Sequence, residues 1–149
     1  MAPPGVNAFY YHFFATVDPF FSLVFTYLYF FAPQAILDPA VPRTSPYATI
    51  TPAHTYLLHQ AGGAFATFAF LMVFLQRHSD DIGVWKLIQG SIILTDVATL
   101  YSLLKAIESF GEVRSEAATN VVLVLIIMGI RGLFVAGVGV GETKGKKTV

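Results

Sequence analysis

Four long apolar runs set the terms for this chain. They occupy residues 9–31, 53–75, 84–105 and 118–140. Each is about 22 residues, and about 20 residues of α-helix cross the hydrocarbon layer of a bilayer. Inside lipid the backbone must satisfy its own N–H and C=O groups, so runs of this length are expected as helices. Composition agrees. Only 12% of the residues are charged, against about 25% in soluble domains, and the mean hydropathy is +0.64. The expectation is an all-α, four-helix transmembrane bundle forming one domain over residues 1–149. The first run lacks a basic leading region and exceeds the roughly 7–15 apolar residues of a signal peptide, so it is expected to remain a span.

The formal net charge is zero, which leaves no electrostatic footprint for nucleic acid. Cysteine is absent, so neither a disulfide framework nor thiol catalysis is available. Residues 33–52 carry five prolines and cannot form a regular helix. They are expected as an ordered cap over one membrane face. Residues 76–83 read as a short turn, 107–116 as a loop and 141–149 as a basic tail. The tail, both termini and the 76–83 turn share one side, with Arg77, Lys86, Lys144, Lys146 and Lys147. Arg43, Lys105 and Arg114 lie on the other. That excess places the termini in the cytoplasm by the positive-inside rule, with the endoplasmic reticulum as the expected membrane. Trp85 and Lys86 are expected at the cytoplasmic interface.

The polar residues inside the spans carry the functional reading. Asp18, Asp96 and Arg131 each fall near the centre of a span. A charged group at that depth costs about 2.5–3.5 kcal/mol on insertion scales, so such groups are expected to face inward and meet. On the first span Tyr11, Ala15, Asp18, Ser22 and Thr26 follow helical spacing as one stripe. Gln89, Asp96 and Thr99 share a face of the third span, and Asn120 and Arg131 one of the fourth. His59, Gln60, Gly63 and Thr67 are expected on the inner side of the second. Gly62 and Gly63 admit close approach of a neighbour, and Pro19 beside Asp18 is expected to kink its helix. One guanidinium balances one carboxylate, so the second carboxyl is expected to hold a proton. Two readings stay open for these three residues: an ion-pair network that locks the four helices together, or an acid and a base at one site, which is what proton-transfer catalysis needs. His54 and His59 are five residues apart, which does not put both on one helix face for chelation. No metal and no cofactor are expected. The segment at 137–142 is glycine-rich but follows no strand, so it carries no dinucleotide signature.

Several stretches carry a resemblance. They are VDPFFSLVFTYLYFFAP (17–33), TYLLHQAGGAFA (55–66), VWKLIQGSIILTDVATLYSL (84–103) and AATNVVLVLIIMGIRGLFVAGVG (117–139). Together they resemble a fungal family of small four-span membrane proteins. It is related to proteins of polyketide and meroterpenoid pathways thought to open epoxides as hydrolases or cyclases. Asp18 stands where Glu is more frequent in that pattern. The resemblance implies that Asp18 and Asp96 act as acid and base and that Arg131 orients them. His59, Gln60, Tyr101 and Asn120 would position water or substrate. The chemistry is similar to the Asp–Arg–Asp set of limonene-type soluble epoxide hydrolases, on a different fold. The implied partner is a lipophilic small molecule entering from membrane lipid. Two other classes fit the same residues. One is a sterol- or terpene-type isomerase that protonates an alkene. The other is a non-catalytic scaffold or lipid-binding protein. A homodimer is compatible with any of them.

Overall fold

The computed structural model describes residues 3–141. The protein is all-α, and four of its helices are long and apolar enough to cross a membrane. These are α1 (Ala8–Phe31), α3 (Pro52–Gln76), α4 (Ile82–Phe110) and α5 (Ser115–Val135). A short α2 (Pro33–Leu37) lies between the first two. Lys144, Lys146 and Lys147, which entered the orientation argument, lie outside the described residues.

Local chemistry sets the helix ends. Asn7 Oδ1 accepts the Tyr10 N–H at 2.9 Å and starts α1. Thr51 caps α3, with His54 returning a bond to the Thr51 N–H and Pro52 in the first turn. Asp81 Oδ1 accepts the Gly83 N–H at 2.7 Å and starts α4. The fourth span is shorter than the apolar run implied, ending at Val135 rather than 140. Gly137 takes φ 87°. Its N–H bonds to the Phe134 carbonyl at 3.0 Å while the Val138 N–H bonds to Leu133 at 2.9 Å. This paired closure ends helices at a left-handed glycine, and apolarity alone does not reveal it. The next residues turn back to the N-terminal segment, where the Gly141 N–H bonds to the Gly5 carbonyl at 2.8 Å.

Residues 33–52 do contain one helical turn, α2. Pro33 sits in its first turn, where a missing N–H is harmless, and Pro39 follows its end. Arg114, just before α5, clamps this segment by donating to the carbonyls of Asp38 and Val41. The Asp38 side chain accepts from Gln34 Nε2 at 2.6 Å and from Arg43 at 3.0 Å. The Gln34 hydrogen bond first, and then Arg43, hold the Asp38 carboxyl below its ordinary value. A depressed folded-state value makes the clamp fully effective above the unfolded carboxylate pKa of about 3.9 and lost as pH falls through the lower folded value. The protection factor of the amides in residues 38–48, with the intrinsic exchange rate at each pH divided out, is therefore expected to fall below about pH 4. In Asp38→Asn the protection factor of this segment should not change across the same range.

Helix α1 packs along α3, and α4 along α5. The two pairs are joined tightly at the end nearest the 77–81 turn. There Tyr10, Phe14, Trp85 and Phe134 form a buried aromatic cluster. The Phe134 ring lies 5.0 Å from both Tyr10 and Phe14. Trp85 is fully buried within it instead of facing the membrane interface. Its indole N–H donates to the Ser79 carbonyl at 3.0 Å, so the ring needs no water or headgroup partner.

Gly62 sets the spacing of α1 and α3. A Cβ there would stand 2.9 Å from Tyr29 Cβ and 2.8 Å from Phe30 Cε2. The Tyr29 atom is tied to backbone, so the helices would have to part. Gly62→Ala is expected to destabilise by about 1–3 kcal/mol despite alanine's better helix propensity. A Cβ at Gly63 meets nothing within 4 Å, so Gly63→Ala should stay within about 0.5 kcal/mol of wild type. Thermal unfolding of both variants in one detergent measures the contrast.

Candidate functional site

The two halves of α1 meet at Asp18. Residues Phe13–Val17 form a wider π-helical turn immediately before it. Pro19 lacks the N–H that would bond one turn back, and the wide turn absorbs this interruption. A second π-helical stretch, Leu71–Gln76, closes α3, and the two stretches pack against each other. Asp18 directly follows the first stretch and Gln76 ends the second.

The three ionisable residues of the spans converge there. Arg131 Nη2 donates to Asp18 Oδ1 at 2.6 Å. Arg131 Nη1 donates to Asp96 Oδ2. The N–H at Nε donates to Gln89 Oε1 at 3.1 Å. Gln89 Nε2 in turn donates to Gln76 Oε1 at 2.9 Å. One guanidinium therefore joins three helices, and two glutamines fix its plane. Arg131 and Asp18 are almost wholly enclosed, with side chains 5% and 6% exposed, while Asp96 is 17% exposed. Asp18 Oδ2 and Gln76 Nε2 are buried with no hydrogen-bond partner among the described residues.

Above this floor lies a cavity of about 110 Å³. Asp18, Ser22, Asp96 and Arg131, with Tyr29, Thr95 and Thr99, supply its polar groups, and Phe21, Phe25, Phe65, Phe68, Ile92 and Ile127 contribute apolar walls. Apolar walls around a few converging polar groups are the usual make-up of a small-molecule site. Ser22 is buried as the helical stripe on α1 predicted. Two carboxyls on one arginine, next to a water-poor hollow, can deliver and accept a proton without moving a main-chain atom.

The structure unites Asp18, Asp96 and Arg131 but separates other residues expected at the same place. His59 stacks on Phe30, with ring centroids 4.8 Å apart, and does not line the cavity. Gln60 and Tyr101 point outward and are exposed. Asn120 lines an adjoining hollow nearer α2. Periodicity gives relative angles on one helix and says nothing about which face meets the neighbours, which is why these assignments diverge. Gln76 was missed because its position reads as a turn. A lone amide directly after an apolar run was its only signal. Among the described residues no cluster of three or more His, Asp or Glu side chains is arranged to hold a metal.

The fold and site together define a four-helix, membrane-type bundle with one arginine shared between two carboxyls at the floor of an apolar cavity. No protein-family model matches the chain, and neither a curated protein nor a solved structure does.

Proposed function

We propose that the protein is a membrane-embedded epoxide-opening enzyme, a hydrolase or cyclase. It works by acid–base catalysis on a lipophilic epoxide of polyketide or meroterpenoid type in fungal secondary metabolism. The observation that carries this reading is the Arg131 guanidinium bridging Asp18 and Asp96 directly beneath an apolar cavity. The resemblance in the spans points the same way. With a single positive charge between two carboxyls, one carboxyl holds a proton and the other does not. The protonated one gives its proton to the ring oxygen as the C–O bond breaks. The ionised one takes a proton from water, or from a hydroxyl of the substrate, as that oxygen bonds to the ring carbon. Water yields a diol and an internal hydroxyl yields a cyclic ether. The acid loses one proton and the base gains one, so exchange between them restores the starting state. Arg131 holds both groups in place throughout and Gln89 holds Arg131. The endoplasmic reticulum, with cytoplasmic termini, is the membrane that goes with this reading.

The test is product analysis. Protein in lipid nanodiscs is offered an epoxidised polyene and, in parallel, the matching alkene. Diol or cyclic ether from the epoxide is the expected result. Conversion of the alkene alone would assign an isomerase, and conversion of neither would remove catalysis from the reading.

A further inference from the structure

The cavity over the triad has neighbours along the bundle. Toward α2, two further hollows of about 300 Å³ and 330 Å³ adjoin it. All three share Tyr29 and Thr99 as wall residues. Leu123 and Val124 stand at the junction of the first two. Ile36 of α2 lies on the far wall of both outer hollows, so the segment clamped by Arg114 forms their roof.

Two features of this space restrict what fits. The first is girth. About 110 Å³ next to the triad is smaller than the roughly 150 Å³ apolar cavity that accepts one benzene. A compartment of this size suits the slim end of a chain better than a fused ring system. The second is polarity. The outer hollow is mostly apolar, yet the half-buried Asn120 stands on its wall. Asn120 and Arg131 lie on the same helix, and their separation of eleven residues spans about 16 Å along the axis. Asn120 lies in the second turn of this helix, half-buried on the wall of the hollow, and an amide there both donates and accepts.

We propose that the three compartments form one channel for a slender, acyclic, mainly hydrocarbon chain. Its reacting end lies at Asp96 and Arg131, and a hydroxyl or carbonyl oxygen further along the chain sits on the Asn120 amide. The identity of the reacting end rests on the epoxide reading, while the channel and the Asn120 contact do not. Asn120 is then a specificity residue that selects chains by where their distal oxygen falls.

A photoreactive chain tests this without requiring turnover. The probe carries an epoxide at one end, a hydroxyl at a spacing varied up to about 16 Å, the backbone rise from Arg131 to Asn120, and a diazirine beside the hydroxyl. It is irradiated with the protein in nanodiscs and the labelled peptides are mapped by mass spectrometry. Label is expected at Ile36 and its neighbours and at the first turns of α5. Val124→Phe, which fills the junction, should abolish it. Asn120→Leu should weaken apparent affinity for the hydroxyl probe about fivefold, the loss of one ordinary hydrogen bond, and leave a probe lacking the oxygen unchanged. A sterol epoxide should not compete. The proposal is overturned if label spreads over outward residues such as Phe20 and Leu94, which are 61% and 73% exposed. It is equally overturned if Val124→Phe labels normally, if Asn120→Leu weakens both probes alike, or if the sterol competes. The two readings fail separately. Correct labelling with no acid-dependent turnover retains the channel and removes the epoxide chemistry. Acid-dependent turnover with scattered label does the reverse.

Discussion

Arg131→Met is expected to lower the stability of the protein by about 3–5 kcal/mol, the usual loss when one partner of a buried ion pair is removed. The size follows from what remains behind. Asp18 and Asp96 both take their hydrogen bonds from this one guanidinium, and its removal leaves two carboxyls facing each other inside the bundle. Gln89 Oε1 loses its donor as well. Methionine matches the length of the arginine stem, so little of the loss is packing. The measurement is unfolding of wild type and variant by a denaturing detergent in mixed micelles. A combined Arg131→Met, Asp18→Asn, Asp96→Asn protein should recover most of the loss, because neutral amides can bond to each other where carboxylates repel. Neighbours in one network are not additive, and the size of the recovery measures their coupling. An Arg131→Met protein as stable as wild type would show that the bridge does not hold the helices together.

Asp96→Asn is expected to reduce epoxide turnover by roughly 10²–10⁴-fold, the range for removing one positioned acid or base, with near-normal stability. Charge explains why the two effects part. In wild type one guanidinium faces two carboxyls; in Asp96→Asn it faces Asp18 alone, an even pair. The asparagine oxygen still accepts from Arg131 Nη1, and Asp96 is the more cavity-exposed of the two acids, so the fold is little disturbed. Proton transfer from that position is nevertheless lost. Asp18→Asn should lose turnover to a similar extent, but at a deeper site where the second carboxyl oxygen is already unpartnered. Rates are to be compared at equal amounts of folded protein. Wild-type turnover in both variants would rule out the acid–base assignment, and loss of folding yield alone would make the network structural.

The same residues show what each level of description reveals. Depth in a span is a sequence property, and it singled out Asp18, Asp96 and Arg131 because charges at mid-bilayer have few tolerable environments. Spacing along α1 likewise located Ser22 on the inner face. Gln89 was placed with Asp96 on one helix face, but its bond to Arg131 Nε needed the neighbouring helix. Gln76 was out of reach of pattern reading, since it reads as the first residue of a turn but is the last of the π-helical stretch that closes α3. His59, Gln60 and Tyr101 failed to join the site for the opposite reason: their helices turn those faces away from it.

The sequence by itself determined the number of spans, the helical class and the three charges that must find each other. Those follow from the bilayer, which forbids unpaired backbone and unpaired charge whatever the packing. Only the tertiary structure decided that the bundle is sealed by aromatics at one end and hollow at the other. It also decided that a clamped segment roofs the hollow and that two glutamines hold the arginine. These depend on how four helices rotate and cross relative to one another, and local pattern carries no term for that.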